Sequence, residues 1–197
     1  MKLIDARKLS CPAPVIETKN FLDSNSECKQ ICVLVDNQPA FENVSRFLSN
    51  YGFEVEVSME KETYKLIGTS QGREVKPLSL VESEFSNIKT LIMISKDELG
   101  SGDSILGKSL MKNFIATLNE YQGLWMLVFV NGGVKLTIND SLVLSDLKNL
   151  EKSGIKILVC GTCLGHYNLL ESKEIGETTN MLDIVTSLNL ADKVISI

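Results

Sequence analysis

Three short stretches constrain this chain most: residues 90–95 (TLIMIS), 124–130 (LWMLVFV) and 155–160 (IKILVC) are almost wholly apolar. Runs of that length between turn residues read as strands buried on both faces. Between them, residues 104–121 and 141–153 repeat apolar side chains at helical spacing. A further helix over 179–188 precedes a last strand over 193–197. This alternation predicts an α/β domain over 88–197, a parallel sheet in three layers with helices on both faces. In such a sheet the loops after the strands gather at the carboxyl edge, where ligands bind. Three loops are expected there, at 100–103, 131–133 and 160–163.

The chain's first 70 residues follow another pattern. A strand over 2–7 leads to a helix over 12–22 and an apolar strand over 30–35. A second helix carries Phe41, Val44, Phe47 and Leu48 at helical spacing, and two strands follow at 53–57 and 64–68. The βαβαββ order predicts an α/β two-layer sandwich, both helices on one face of the sheet. The domains are therefore expected at 1–70 and 88–197, with the polar, weakly periodic segment 71–87 as linker. Their different element orders exclude an internal repeat.

Cys11-Pro12-Ala13-Pro14 stands where the first helix should begin. The first four N–H groups of a helix lack intrahelical partners, so proline costs little there and Pro12 suits the first helical position. The remaining donors, those of Ala13 and Val15, are expected to point back toward the Cys11 sulfur. With the helix dipole they favour negative charge there. Two readings stand side by side: a nucleophilic or sulfur-carrying thiolate, and a small residue that merely precedes a proline-started helix.

Cys160-Gly161-Thr162-Cys163 ends the third apolar run, near the single histidine, His166. A C-x-x-C pair at a helix start can cycle between dithiol and disulfide. Free cysteine is also often simply buried at the end of a strand. Haem attachment requires histidine directly after the second cysteine, and here Leu164 and Gly165 intervene. A structural zinc site needs four ligands; Cys160, Cys163 and His166 supply three. Cys28 and Cys32 flank the second strand, too far apart along it to bridge.

Composition excludes several classes. The net charge of −5 with scattered Lys and Arg argues against nonspecific binding of nucleic acid or membrane surfaces. No apolar run reaches the length of a membrane span, and the N-terminus lacks a signal-peptide pattern. Five cysteines, an odd number, point to reduced thiols in a cytoplasm. Residues Gly102 to Ser109 match the phosphate-loop pattern G-x-x-x-x-G-K-[ST] letter for letter. That loop must follow a strand directly, whereas this one starts several residues beyond it. Asp103 or Ser104 is a natural N-cap, which puts Gly107, Lys108 and Ser109 inside a helix. The match reads as coincidence.

Cys-Pro-x-Pro between a first strand and a first helix, in a domain of this size, resembles the TusA/SirA family of sulfur carriers. That resemblance implies that Cys11 accepts a persulfide sulfur and passes it on. The C-terminal half is similar to the DsrE-like sulfur-relay family, which implies a sulfur-accepting role for Cys160, with Cys163 left open. The fusion, with Val130-Asn131-Gly132-Gly133-Val134 and Cys160-Gly161-Thr162-Cys163-Leu164, resembles the YedF-type proteins of selenium metabolism. The combined expectation is a sulfur or selenium relay by thiolate attack through Cys11, Cys160 and Cys163, with no organic cofactor and no metal. Its expected partners are a cysteine desulfurase or other sulfur or selenium donor and a selenophosphate-synthesis enzyme, with a homodimer left open. The alternative is a thiol–disulfide redox protein using Cys160 and Cys163.

Overall fold

The computed structural model describes residues 2–60, 62–70 and 88–197; the segment expected as a linker, 71–87, lies outside them. Residues 2–70 belong to one compact unit and 88–197 to another.

In the first unit, β1 (Lys2–Asp5), α1 (Ala13–Asp23), β2 (Gln30–Val35), α2 (Gln38–Asn50), β3 (Phe53–Glu60) and β4 (Thr63–Ser70) follow one another. The sheet order is β1-β2-β4-β3, with β1 parallel to β2 and the other pairs antiparallel. Ile31, Val33 and Val35 alternate toward the helices, as the pleat requires. They are fully buried with Val44, Leu48 and Leu66. Asn37 starts α2 by accepting the Ala40 N–H at 2.9 Å, which supplies one orphan donor of the first turn with a partner. The expected βαβαββ order is observed, except that β1 ends at Asp5 rather than at residue 7.

The second unit runs β5 (Thr90–Ile94), α3 (Ser104–Thr117), β6 (Leu124–Phe129), α4 (Leu144–Lys152), β7 (Lys156–Cys160), α5 (Gly161–His166), β8 (Glu177–Thr179), α6 (Met181–Leu190) and β9 (Lys193–Ser196). A 3-10 turn (Leu118–Glu120) extends α3, and a second 3-10 stretch, Asn131–Thr137, follows β6. All strands are parallel, in the order β8-β7-β6-β5-β9. Helices α3 and α4 pack together on one face. The β8–α6–β9 connection reverses direction along the sheet, so a right-handed crossover puts α6 on the opposite face. The expected three layers result. Leu91, Ile92, Leu127, Val128, Phe129 and Val159 are fully buried between them.

Several elements depart from expectation: α4 begins at Leu144 rather than at residue 141, and residues 161–163, expected in a loop, form the first turn of α5. Residues 131–133 are not an open loop but start the 3-10 stretch. The segment ahead of α6 contains β8, a Glu-Thr-Thr edge strand that carries no apolar pattern, and the helix expected from 179 begins at Met181. There Asn180 accepts the Leu182 and Asp183 N–H groups at 2.9 and 3.2 Å. The phosphate-loop pattern is helical as expected: Asp103 accepts the Leu106 N–H at 2.7 Å, and Gly107, Lys108 and Ser109 lie in α3.

Candidate functional site

Cys11 is exposed, on the turn between β1 and α1. That turn is fastened to the neighbouring strand at two points. The Ala6 N–H continues the ladder to Leu34 O at 2.9 Å. The Lys8 N–H then donates to Asp36 Oδ2 at 2.7 Å, just past the end of β2. Lys8 takes a left-handed backbone (φ 66°) to reach it, a conformation uncommon for a residue with a side chain. The Lys8 N–H holds the Asp36 carboxyl below the usual carboxylate range. Before the turn, Arg7 forks onto Asp5, its Nε 2.8 Å from Oδ1 and its Nη2 2.5 Å from Oδ2. Chiefly through that bond, the Asp5 carboxyl is lowered to about 2.

The helix start corrects the sequence reading. Pro12 is not the first helical residue but the one before it, after a cis Cys11–Pro12 peptide, and α1 begins at Ala13. The two donors expected to face the Cys11 sulfur are committed elsewhere. Ala13 N donates to Ser10 O at 3.0 Å and Val15 N to Pro12 O at 3.1 Å. The physical reason is the turn at Ser10–Pro12, which folds carbonyls back over the first turn of α1. Pro12 and Pro14 have no N–H to contribute.

In the second unit Cys160 is buried at the end of β7, 4% exposed, and Cys163 is half-buried in the first turn of α5. The Asn131 N–H donates to Cys163 Sγ at 3.1 Å. Asn131 is left-handed (φ 46°), which asparagine tolerates better than most residues. Its side chain accepts the Tyr167 hydroxyl at 2.9 Å. Lys135 Nζ lies 4.9 Å over the Tyr167 ring, and His166 packs edge-on against that ring. Burial, with Cys160 adding to it, pushes the Cys163 thiol up; the Asn131 N–H pulls the other way.

Two of the three loops expected at the carboxyl edge do meet, at Asn131 and Cys163. The third contribution comes from 95–97 rather than 100–103: a Cβ on Gly132 would touch Ser95 O, Asp97 Oδ1 and Lys96 Cα at 3.6–3.7 Å. Residues 100–103 instead lead into the cap of α3. Asp36, Tyr167 and the left-handed role of Asn131 were not singled out from sequence. Asn-Gly-Gly directly after a strand was the available signal for the last. All five cysteines are free thiols; burial raises that of Cys32, with Lys65 opposing. Among the described residues no cluster of His, Cys, Asp or Glu is arranged to hold a metal ion, and no helix is long and apolar enough to cross a membrane.

The first unit, with an exposed cysteine ahead of a proline-rich helix start on a βαβαββ sandwich, has the form of a small carrier domain. Residues 2–69 match the family described as sulfurtransferase TusA. A protein of Methanocaldococcus jannaschii, provisionally named a sulfur carrier, is 38% identical over 63 residues, 84% of its length and 32% of this chain. The chain belongs to the TusA family through this unit. Among solved structures, a SirA-like protein from Desulfitobacterium hafniense is 28% identical, covering 35% of this chain and 96% of that one, with a TM-score of 0.33. The ychN protein of E. coli is 14% identical, covering 56% of this chain and 100% of its own, with a TM-score of 0.43. Membership brings sulfur carriage, and TusA-type carriers receive their sulfur from a donor such as a cysteine desulfurase.

Proposed function

We propose that Cys11 carries the sulfur as a persulfide, or selenium as a selenopersulfide, and hands it to the Cys160–Cys163 pair. In this reading residues 1–70 are the carrier domain, 71–87 the linker and 88–197 a DsrE-like acceptor domain. The whole is a YedF-type relay of cytoplasmic selenium metabolism. The observation that carries it is the exposure of Cys11 on a turn fixed by Asp36 inside a TusA domain. Loading is an exchange: the Cys11 thiolate attacks the outer sulfur of a donor persulfide, the new S–S bond forms as the old one breaks, and the donor leaves as a thiolate. Unloading is the same step with an acceptor thiolate attacking. A cysteine desulfurase is the donor in this proposal, and an enzyme of selenophosphate synthesis the consumer.

The test is to incubate wild type, Cys11→Ala and Cys160→Ala/Cys163→Ala with a desulfurase and cysteine, then with selenocysteine, and to map mass gains to peptides. Cys11→Ala should leave the pair neither loaded nor converted to its disulfide, and the double variant should trap cargo on Cys11. Equal loading or equal disulfide formation at the pair with and without Cys11 would rule out the relay order. A second reading, plain thiol–disulfide exchange, draws on the nearness of Cys163 to Cys160. A reversible disulfide there, with no cargo ever bound, would favour it.

A further inference from the structure

We propose that Cys163, not Cys160, receives the cargo first and that Cys160 then expels it, making the pair a persulfide reductase that releases hydrosulfide, or hydroselenide when the cargo is selenium. This rests on the second unit's being an acceptor of cysteine-bound sulfur. Access decides the order. Cys160 is 4% exposed, with Leu164 fully buried nearby and its own strand hydrogen-bonded between β6 and β8. Gly161 beside it is equally crowded: a Cβ there would lie 3.0 Å from Thr178 Cγ2. A persulfide on another protein cannot approach such a sulfur. Cys163 is half-buried, so part of its surface remains open to solvent.

The surroundings of Cys163 suit the first acceptor. Its sulfur holds the Asn131 N–H at 3.1 Å, and the Tyr167 hydroxyl fixes the Asn131 side chain at 2.9 Å. That donor stabilises a thiolate at Cys163 as it forms. Lys135, over the Tyr167 ring, puts a cation beside this arrangement and favours an incoming anionic persulfide. Asn131 and Tyr167 are positioning residues here, acting through the Cys163 sulfur.

The chemistry balances without an outside oxidant. Cys163 thiolate attacks the outer sulfur of the donor persulfide, the donor leaves as a thiolate, and Cys163 bears –S–SH. Cys160 closes β7 and Cys163 lies in the first turn of α5 directly after it, a C-x-x-C spacing that keeps the two sulfurs within reach of each other. Cys160 loses its proton to water and attacks the inner sulfur, that of Cys163. The bond to the terminal sulfur breaks and HS⁻ departs, leaving a Cys160–Cys163 disulfide. The two cysteine sulfurs give up the two electrons that reduce the departing sulfur to hydrosulfide. A dithiol reductant returns the pair to thiols and becomes a disulfide itself.

The experiment uses the full chain with Cys11→Ser throughout, so that the carrier cysteine contributes nothing. The reduced protein is treated with glutathione persulfide, desalted, assayed for free sulfide and mapped by peptide mass. With the pair intact, one sulfide per chain and a Cys160–Cys163 disulfide are expected. Adding Cys160→Ser should trap one extra sulfur on Cys163 with no sulfide released; adding Cys163→Ser should abolish both loading and release. Tyr167→Phe should slow loading of Cys163 several-fold and leave the melting temperature unchanged; an unchanged loading rate removes its positioning role. Extra sulfur found on Cys160 in the Cys163→Ser background overturns the order, and stable loading of the intact pair without sulfide overturns the release. The carrier reading fails separately, if Cys11 restored in a Cys160→Ser/Cys163→Ser chain takes no sulfur from a desulfurase.

Discussion

Gly133→Ala tests whether the carboxyl edge of the second sheet is held as tightly as the site requires. A Cβ at Gly133 would stand 2.2 Å from Ile94 O and 2.9 Å from Ile94 C. An ordinary carbon–oxygen contact is about 3.3 Å at its closest, so something must move by about 1 Å. The obstacle is backbone: Ile94 O already accepts the Val130 N–H at 3.0 Å, and the Gly133 N–H bonds Val130 O at 2.9 Å. Overpacking a fixed wall costs about 3 kcal/mol, the upper end of the usual range. At roughly 4 °C per kcal/mol for a domain of this size, melting should fall by about 12 °C. Gly132→Ala is the control, because its Cβ would meet neighbours only at 3.6–3.7 Å, and neither glycine has a left-handed backbone. The single tryptophan, Trp125 in β6, reports unfolding of this unit alone. Cys163 alkylation, followed by peptide mass, reports whether Asn131 has shifted. If the two alanine variants melt within about 2 °C of each other, the close approach at Gly133 is not what fixes this edge.

Other outcomes follow from single contacts. Asp5 should titrate near a pKa of about 2 by carboxyl NMR and return toward about 3.9 in Arg7→Ala; a normal value in the wild type would remove the Arg7 fork. Because the folded value of Asp36 is lowered by the Lys8 N–H, the fastening of the Cys11 turn should hold through the ordinary carboxylate range. It should fail only as pH falls through the lowered value, and Asp36→Ala should slow Cys11 loading several-fold at neutral pH. Cys163 is raised, so its alkylation should need a pH above the ordinary thiol range. The stability linked to its proton is complete below the unfolded pKa of about 8.5 and lost as pH rises through the folded value. Cys160→Ser should bring Cys163 down only in part, because burial, the larger cause, remains. Lys108→Ala should leave ATP affinity untouched, since Lys108 is exposed on α3; micromolar binding lost in that variant would contradict the helical placement.

Strand identity was legible because burial on both faces writes itself into composition: β5, β6 and β7 are the three apolar runs. The strand β8 was not, because a three-residue edge strand needs only one partner and presents Glu and Thr to water. The cap of α3 was legible because Asp103 acts within its own turn. The role of Asp36 was not, because its partner is Lys8, 28 positions away in sequence, and a carboxylate in a turn looks the same with or without such a partner. The positions of Cys11, Cys160 and Cys163 could be read from spacing. Their surroundings could not: whether an amide faces a sulfur depends on where carbonyls from the preceding turn lie. At Cys11 the free donors of the first turn are visible in the sequence, but the Ser10 and Pro12 carbonyls that accept from them are not.

The two cysteine environments differ in a way that fits the division of labour proposed for them. A carrier must accept sulfur and then give it up, so its thiolate has to be a competent nucleophile in one step and a competent leaving group in the next. Strong stabilisation of the thiolate helps the second and weakens the first, because intrinsic nucleophilicity falls with thiol pKa. The turn at Ser10–Pro12 commits the Ala13 and Val15 amides to carbonyls, and Cys11 stands exposed to solvent. Cys163 faces the opposite requirement. It lies partly buried beside a second thiol, where charge is costly, and the Asn131 N–H offsets that cost at the sulfur itself. A cysteine that must attack from within a partly buried site needs such a donor; one that exchanges cargo in solvent does not.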